Sequence, residues 1–302
     1  MPEPLTIVIA GASGMIGSEL SNQLTAAGHR VVRLVRRPAE TPDECEWDPA
    51  AGLLAADALN GVDAVVNLSG ASISRLPWTA SYKKQILSSR IQATSTLATA
   101  IGRAAKPPAV FISGSAVGFY GDRPNERLDE ASEPGTAFLA MVVRAWEAAA
   151  QSAASASTRV VLVRTGLVLG SGGALTPLKI IAKLFGAGPL GSGRQVWPWI
   201  SLHDEAAAIV HLISDSKLEG AVNLVGPRPV TATVLNRALA SMLNRPFWLP
   251  APRWAIVAAL GDAGRELLLA DQDVSAARLT DDGFRFTHSD VQSALKAALK
   301  LP

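Results

Sequence analysis

The stretch IVIAGASGMIGSEL (residues 7–20) constrains this chain more than any other. A short run of Ile and Val ends at Gly11, and Gly14 and Gly17 follow before an amphipathic segment begins. The pattern predicts a strand, a tight turn and a helix starting near Ser13, with Gly28 placed to end it. Glycine permits the turn and lets the backbone approach a pyrophosphate, while the first N–H groups of the helix and its positive dipole end face that anion. Gly11, Ser13, Gly14, Met15, Ile16 and Gly17 are therefore the expected dinucleotide cradle. A tight turn that binds nothing is the alternative reading of the same glycines.

The remaining sequence has the organisation such a turn requires. LTIVIA (Leu5–Ala10), RVVRLV (Arg30–Val35), DAVVNLS (Asp63–Ser69), AVFIS (Ala109–Ser113) and RVVLVRT (Arg159–Thr165) alternate with longer helical stretches. Strands apolar on both faces and separated by helices predict a Rossmann-type, doubly wound α/β fold with a parallel sheet. Beyond Gly166 the pattern loosens into glycine-rich loops, one further strand at Ala221–Gly226 and a mainly helical tail. The expected division is a cofactor domain over residues 1–168 that also uses roughly 197–226. A small, mainly helical substrate domain takes 169–196 and 227–302.

Composition excludes several classes. The 302 residues suffice for a large and a small unit, and a single cysteine, Cys45, forbids an intrachain disulfide. No basic region precedes the first apolar run and no run approaches a membrane span, so the expected setting is the cytoplasm, with no membrane contact. A net charge of +2 without a basic cluster argues against nucleic acid. His29, His203, His211 and His288 are scattered without ligand spacing, so no metal is expected. A small molecule is the expected partner, and the chain is expected to be a monomer or a homodimer.

The end of the second strand bears on cofactor choice. An acidic side chain there would hold the ribose hydroxyls of NAD. This chain has Arg36 and Arg37, which suit a 2′-phosphate, so NADP(H) is expected over NAD(H). Two arginines that merely solvate a strand end remain the alternative.

Long, unusual pieces of the sequence resemble a known family: GASGMIG, EWDP, DAVVNLSGASI, SSRIQAT, FISGSAVGFYG, RTGLVLGSGGAL, GPLGSGRQVWPWISLHDEA and VNLVGPRPVT. Together they resemble the extended short-chain dehydrogenases, in particular the atypical YfcH-like branch labelled "epimerase family protein", over nearly the whole chain. The resemblance implies a Rossmann domain with a small C-terminal substrate domain and NADP(H). It also implies that Leu68, Ser69 and Gly70 pass beneath the adenosine and ribose. Arg90 would border the same groove, Ser113 would lie on the cofactor side, and Arg164 and Gly166 would follow their strand towards the nicotinamide.

Dehydrogenases of this type carry Tyr-x-x-x-Lys on the helix after the FIS strand, where the lysine lowers the tyrosine pKa and the phenol exchanges the substrate proton. Here that helix is AFLAMVVRAWEAAA (Ala137–Ala150), with neither residue. If Arg144 takes the lysine place, Ala140 takes that of tyrosine, and arginine does not give up its proton. The chain has only Tyr82 and Tyr120, followed four residues later by Ile86 and Pro124. The candidate catalytic residues are Ser115, which would orient a substrate oxygen, and Tyr120. In the segment Gly188–Ala206, Arg194 would bind an anionic substrate group and Trp199 would wall the pocket, with Asp204 capping a helix. Trp248–Leu260 is too short and too weakly charged for a membrane-surface helix and fits better as one packed on the substrate domain or a second subunit. Two functions follow: NADP(H)-dependent hydride transfer or epimerisation on a small carbonyl, hydroxyl or sugar-like substrate, and a non-catalytic NADPH-binding sensor or regulator.

Overall fold

Ile7 and Ile9 lie on one side of the first strand and Val8 and Ala10 on the other, and all four are buried. A strand so apolar on both faces must be covered twice. The computed structural model, which describes residues 3–173 and 175–301, shows how.

The chain begins with β1 (Thr6–Ala10), α1 (Met15–Ala26), β2 (Arg30–Val35), β3 (Glu44–Asp48), β4 (Leu53–Leu54), β5 (Ala64–Asn67) and α2 (Ala80–Arg103). It continues through β6 (Val110–Ala116), a 3-10 turn (Val117–Tyr120), β7 (Arg127–Leu128), α3 (Phe138–Gln151), β8 (Arg159–Thr165), β9 (Leu167–Leu169) and α4 (Leu175–Lys183). Next come β10 (Val196–Trp197), β11 (Trp199–Ser201), α5 (Leu202–Ser214), β12 (Gly220–Leu224), β13 (Val230–Thr231) and α6 (Ala232–Met242). The last elements are α7 (Arg253–Leu267), β14 (Asp273–Val274), α8 (Ala277–Asp281) and α9 (Val291–Leu299).

The central sheet has eight strands in the order β12-β8-β6-β5-β1-β2-β3-β4, all parallel except the last pair. This is the doubly wound α/β arrangement expected. Leu20 and Leu24 of α1 and Ile209 and Leu212 of α5 cover the face of Ile7 and Ile9. Ala93, Leu97 and Ile101 of α2 and Ala150 of α3 cover the opposite face with Phe111 and Leu162. β3 went unread because ECEWD carries three carboxylates, although Trp47 is buried. It pairs in parallel with β2, and so brings its end to the edge of the cofactor cleft.

The C-terminal region is mainly helical. Leu235 and Leu239 of α6 and Leu295 of α9 share a core with Trp197 and Trp199. The expected helix around Trp248–Leu260 is α7, and it reaches back to the central part of the molecule. Asp262 pairs with Lys83 of α2 at 2.5 Å, and Glu266 accepts from the backbone N–H of Leu139 at 2.7 Å, at the start of α3.

Candidate cofactor cleft and the polar network beside it

The glycine turn forms with the tightness its sequence demands. Gly11 has φ +84°, and a Cβ there would lie 2.8 Å from the backbone carbon of Leu68. A Cβ on Gly17 would stand 2.2 Å from the Gly11 carbonyl oxygen, so α1 can approach the strand end only because that residue is glycine. The helix starts at Met15, two residues later than expected, with Gly14 as its N-cap and no side chain closing its first turn. Gly28, at φ +86°, closes its other end. The first-turn N–H groups are thus left to a ligand, as an anion site requires.

This turn borders a cleft of about 1140 Å³. Gly11, Ser13, Gly14, Leu68, Ser69 and Gly70 line it from the strand ends, and Ser89 and Gln92 from α2. At the far end stand Arg33, Arg36, Arg37, Trp47 and Asp48. The sequence reading missed Arg33, Trp47 and Asp48, although EWDP belonged to the resemblance. Nothing in that tetrapeptide says what it lines until β3 is placed beside β2.

The two arginines differ. Arg37 is held by Glu44 through two hydrogen bonds of 2.9 Å, with Glu40 at 3.3 Å. Its hydrogen bonds hold the Glu44 carboxyl below the usual range. Arg36 is exposed and has no ion pair among the described residues. Arg36, like Arg33 and Arg75 on the same cleft, has no ion pair among the described residues and is free to meet a phosphate, whereas Arg37 stiffens the loop after β2.

Arg90 sits behind Gly70. Its guanidinium donates to the carbonyls of Ala71 and Ile86, at 3.1 and 3.0 Å, and lies 5.1 Å over the ring of Trp146. No carboxylate pairs with it among the described residues, and burial lowers its pKa to about 10. Neighbouring side chains fix the turn further: Ser69 N–H donates to Asn67, whose amide donates to Thr94 at 2.8 Å.

Ser115 and Arg164 are register partners on β6 and β8, and both face α3. Ser115 Oγ donates to Glu147 Oε1 at 2.5 Å. Arg164 grips the same carboxylate with Nε at 2.9 Å and Nη2 at 3.0 Å. Its Nη1 donates to Tyr120 Oη at 3.0 Å, and that phenol donates to Asn223 Oδ1 at 2.7 Å. Arg164 also lies 3.5 Å over the Phe119 ring. Ser115 and Arg164 are each 4% exposed and Tyr120 is fully buried, so none of the three lines the cleft as expected. A cation buried among aromatic rings needs a carboxylate, and Glu147 supplies it. Burial raises the Tyr120 pKa, against the pull of Arg164 and Asn223. Ser113, also fully buried, donates its hydroxyl to the carbonyl of its neighbour Gly114.

The expected placement along α3 also changes. Arg144 is exposed on the outer side, whereas Val143 and Glu147 are buried. Ala140 is buried too. Neither the tyrosine nor the lysine role is filled.

The residues expected to bind substrate lie elsewhere. Arg194 is exposed on the loop before β10 and does not line the cleft. Trp199, 1% exposed, donates to the Arg228 carbonyl from within the C-terminal core. At Gly166 a Cβ would meet the Pro198 carbonyl oxygen at 2.1 Å, so this glycine serves the crossing of β9 past Pro198. Ser201, not Asp204, caps α5: it accepts from the Asp204 N–H at 3.0 Å. The Asp204 carboxylate instead accepts from the backbone N–H groups of Thr287 and His288. Among the described residues no group of histidines, cysteines and carboxylates has the arrangement of a metal site.

Comparison with known proteins agrees with this geometry. Residues 7–243 match the model of the NAD dependent epimerase/dehydratase family. The chain belongs to that family. Residues 251–298 match a domain of unknown function, DUF1731. The epimerase family protein ML0860 of Mycobacterium leprae is 40% identical over 98% of this chain and 96% of its own. The crystal structure of human epimerase family protein SDR39U1 (isoform 2) with NADPH superposes with a TM-score of 0.89 at 32% identity, covering 98% of this chain and 99% of that one. A nucleoside-diphosphate sugar epimerase from Corynebacterium glutamicum has a TM-score of 0.81 at 34% identity, covering 98% of this chain and 58% of that one. The family is named for its nicotinamide dinucleotide, and the human SDR39U1 structure holds NADPH. The residues of the cleft beside Gly11 fit such a dinucleotide: an open helix start, a glycine cradle that side chains would fill, and an unpaired arginine beyond it.

Proposed function

We propose that this chain is an NADP(H)-dependent oxidoreductase or epimerase that acts on a small hydroxyl-bearing or sugar-like substrate without a tyrosine–lysine pair. The observation that carries this reading is the hydrogen bond from Ser115 to Glu147 at the end of β6. Its hydroxyl hydrogen is committed, so Ser115 offers a substrate only lone pairs and accepts from an alcohol rather than polarising a carbonyl. A substrate alcohol would donate to Ser115 Oγ, whose own hydrogen is held by Glu147, so the pair would orient that hydroxyl and relay its proton. The bound dinucleotide supplies the hydride chemistry. Arg36 supports a preference for NADP(H), and the sugar-nucleotide epimerase likeness supports a sugar-like substrate. A single cysteine suits the reducing cytoplasm.

A second reading, an NADPH-responsive regulator, is favoured by one observation: Tyr120 is fully buried with its hydroxyl both donating and accepting, so no free phenol remains. Stereospecifically deuterated NADPH, incubated with the protein and a fractionated metabolite extract, separates the two. Label in one product supports catalysis. Ser115→Ala is then expected to slow turnover by about 100-fold with NADPH affinity retained, whereas Glu147→Gln would also leave Arg164 buried without its carboxylate and lower stability. Tight NADPH binding with no transferred label, and no exchange within an epimerised product, favours the regulator.

A further inference from the structure

The fold gathers exposed apolar side chains in one part of the C-terminal region. Ile180, Ile181 and Leu184 stand out from α4 and the turn after it, and Phe185 follows with φ +63°. The segment after α6 folds onto this turn. Trp248 Nε1 donates to the Phe185 carbonyl at 2.9 Å, and the Trp248 and Leu249 N–H groups donate to Ala187. Arg245 lies 4.8 Å over the Phe185 ring and donates to the Lys183 carbonyl. Leu184 is 76%, Trp248 64% and Trp254, in the first turn of α7, 75% exposed. Large apolar side chains so exposed, with Trp248 tied to Phe185 and Trp254 six residues further along the chain, mark a surface that meets something.

Charge says what. Residues 175–203 contain Lys179, Lys183 and Arg194, residues 225–261 contain Arg228, Arg237, Arg245 and Arg253, and neither stretch has a carboxylate. The overall net charge of +2 hides this asymmetry, because the carboxylates lie elsewhere. Lys179 and Lys183 flank Ile180 and Ile181 on α4, with Leu184 next to Lys183, while Arg245 and Arg253 flank Trp248 and Leu249. A second copy docking the same face would bring these cations together, which opposes a symmetric dimer. Tryptophan, phenylalanine and leucine tips among lysines and arginines have the chemistry of a protein seated on an anionic lipid surface: rings enter the headgroup region and cations meet phosphates.

We propose that this face, from α4 to the start of α7, is a peripheral docking surface for an anionic lipid bilayer. The stretch Trp248–Leu260 alone is too weakly charged for that role, and α4 supplies the missing cations and apolar side chains. The contact is interfacial, since no described helix is long and apolar enough to cross a membrane. It does not depend on the reading of the cofactor site.

The test is co-sedimentation of the full chain with phosphatidylcholine vesicles and with mixed phosphatidylglycerol–phosphatidylcholine vesicles. The protein is expected to pellet with the anionic vesicles only and to be released as salt rises. Lys183→Glu is expected to lower partitioning about fivefold, and Trp248→Ala combined with Trp254→Ala to lower it further. A cooperative thermal unfolding transition in each variant reports that it has folded. Equal recovery from both vesicle types, indifference to the variants, or a stable dimer in solution that protects Trp248 and Trp254 from quenching would overturn the proposal.

Discussion

At the residue scale, Arg36 and Arg37 show how neighbours in sequence acquire different work. Glu44 occupies Arg37 from across the β2–β3 pair, and Arg36 is left without a carboxylate. Arg36→Glu is expected to weaken NADPH binding by about 10- to 100-fold, the worth of a charged hydrogen bond to phosphate. Its effect on NADH should be small, so titration of both cofactors by fluorescence checks it. Arg37→Glu would also break the pairing with Glu44, and a similar loss for both cofactors is expected there. Arg164 is a different case. Removing it leaves Glu147 buried without its cation, so Arg164→Met is expected to lower stability by about 3–5 kcal/mol. Thermal unfolding of this variant, beside the better-tolerated Lys179→Met, reads that loss.

At the element scale, the legible parts were those whose pattern is local. The β1–turn–α1 unit, both ends of α1 to within two residues, and the strands at 30–35 and 159–165 follow from short-range rules of periodicity and glycine. The same rules cannot say which way Arg164 points, because its direction depends on α3 delivering Glu147 from seventeen residues upstream. Asp204 resembled a helix cap for a similar reason. Its place near the start of α5 is local, but its partners Thr287 and His288 arrive from the far end of the chain. The start of α5 also holds Glu205, which is fully buried, accepts one hydrogen bond from Thr165 at 2.6 Å, and has its pKa pushed up to about 8 by burial. An acid with a raised folded-state pKa binds more protons in the folded state than in the unfolded one. Its stabilising contribution is complete below the unfolded value of 4.5 and is lost as pH rises towards 8. Glu205→Gln keeps the shape without the charge. The variant is expected to match the parent near pH 5 and to exceed it in Tm above pH 8, as pH-dependent calorimetry would show.

At the scale of the whole molecule, the cleft is built from parts distant in sequence: the glycine turn, the end of β2, EWDP, the end of β5 and one side of α2. A dinucleotide spanning them, as proposed, would bind only when β1, β2, β3 and β5 hold their order, and so would bind the folded state and not the unfolded chain. Mass action then makes cofactor a stabiliser: at about 100 times Kd the gain is about 2.7 kcal/mol. For a chain of this size such a gain amounts to a rise of about 4 °C in Tm. NADPH should therefore raise the melting temperature of the parent with a logarithmic dependence on concentration. Gly17→Ala provides the contrast, because its Cβ would stand 2.2 Å from the Gly11 carbonyl oxygen and force α1 off the strand end. That displacement removes the open N–H groups from the pyrophosphate's position, so the variant should lose most of the cofactor-dependent shift even where it still folds. A rise equal to the parent's would mean that the dinucleotide is not held by this turn.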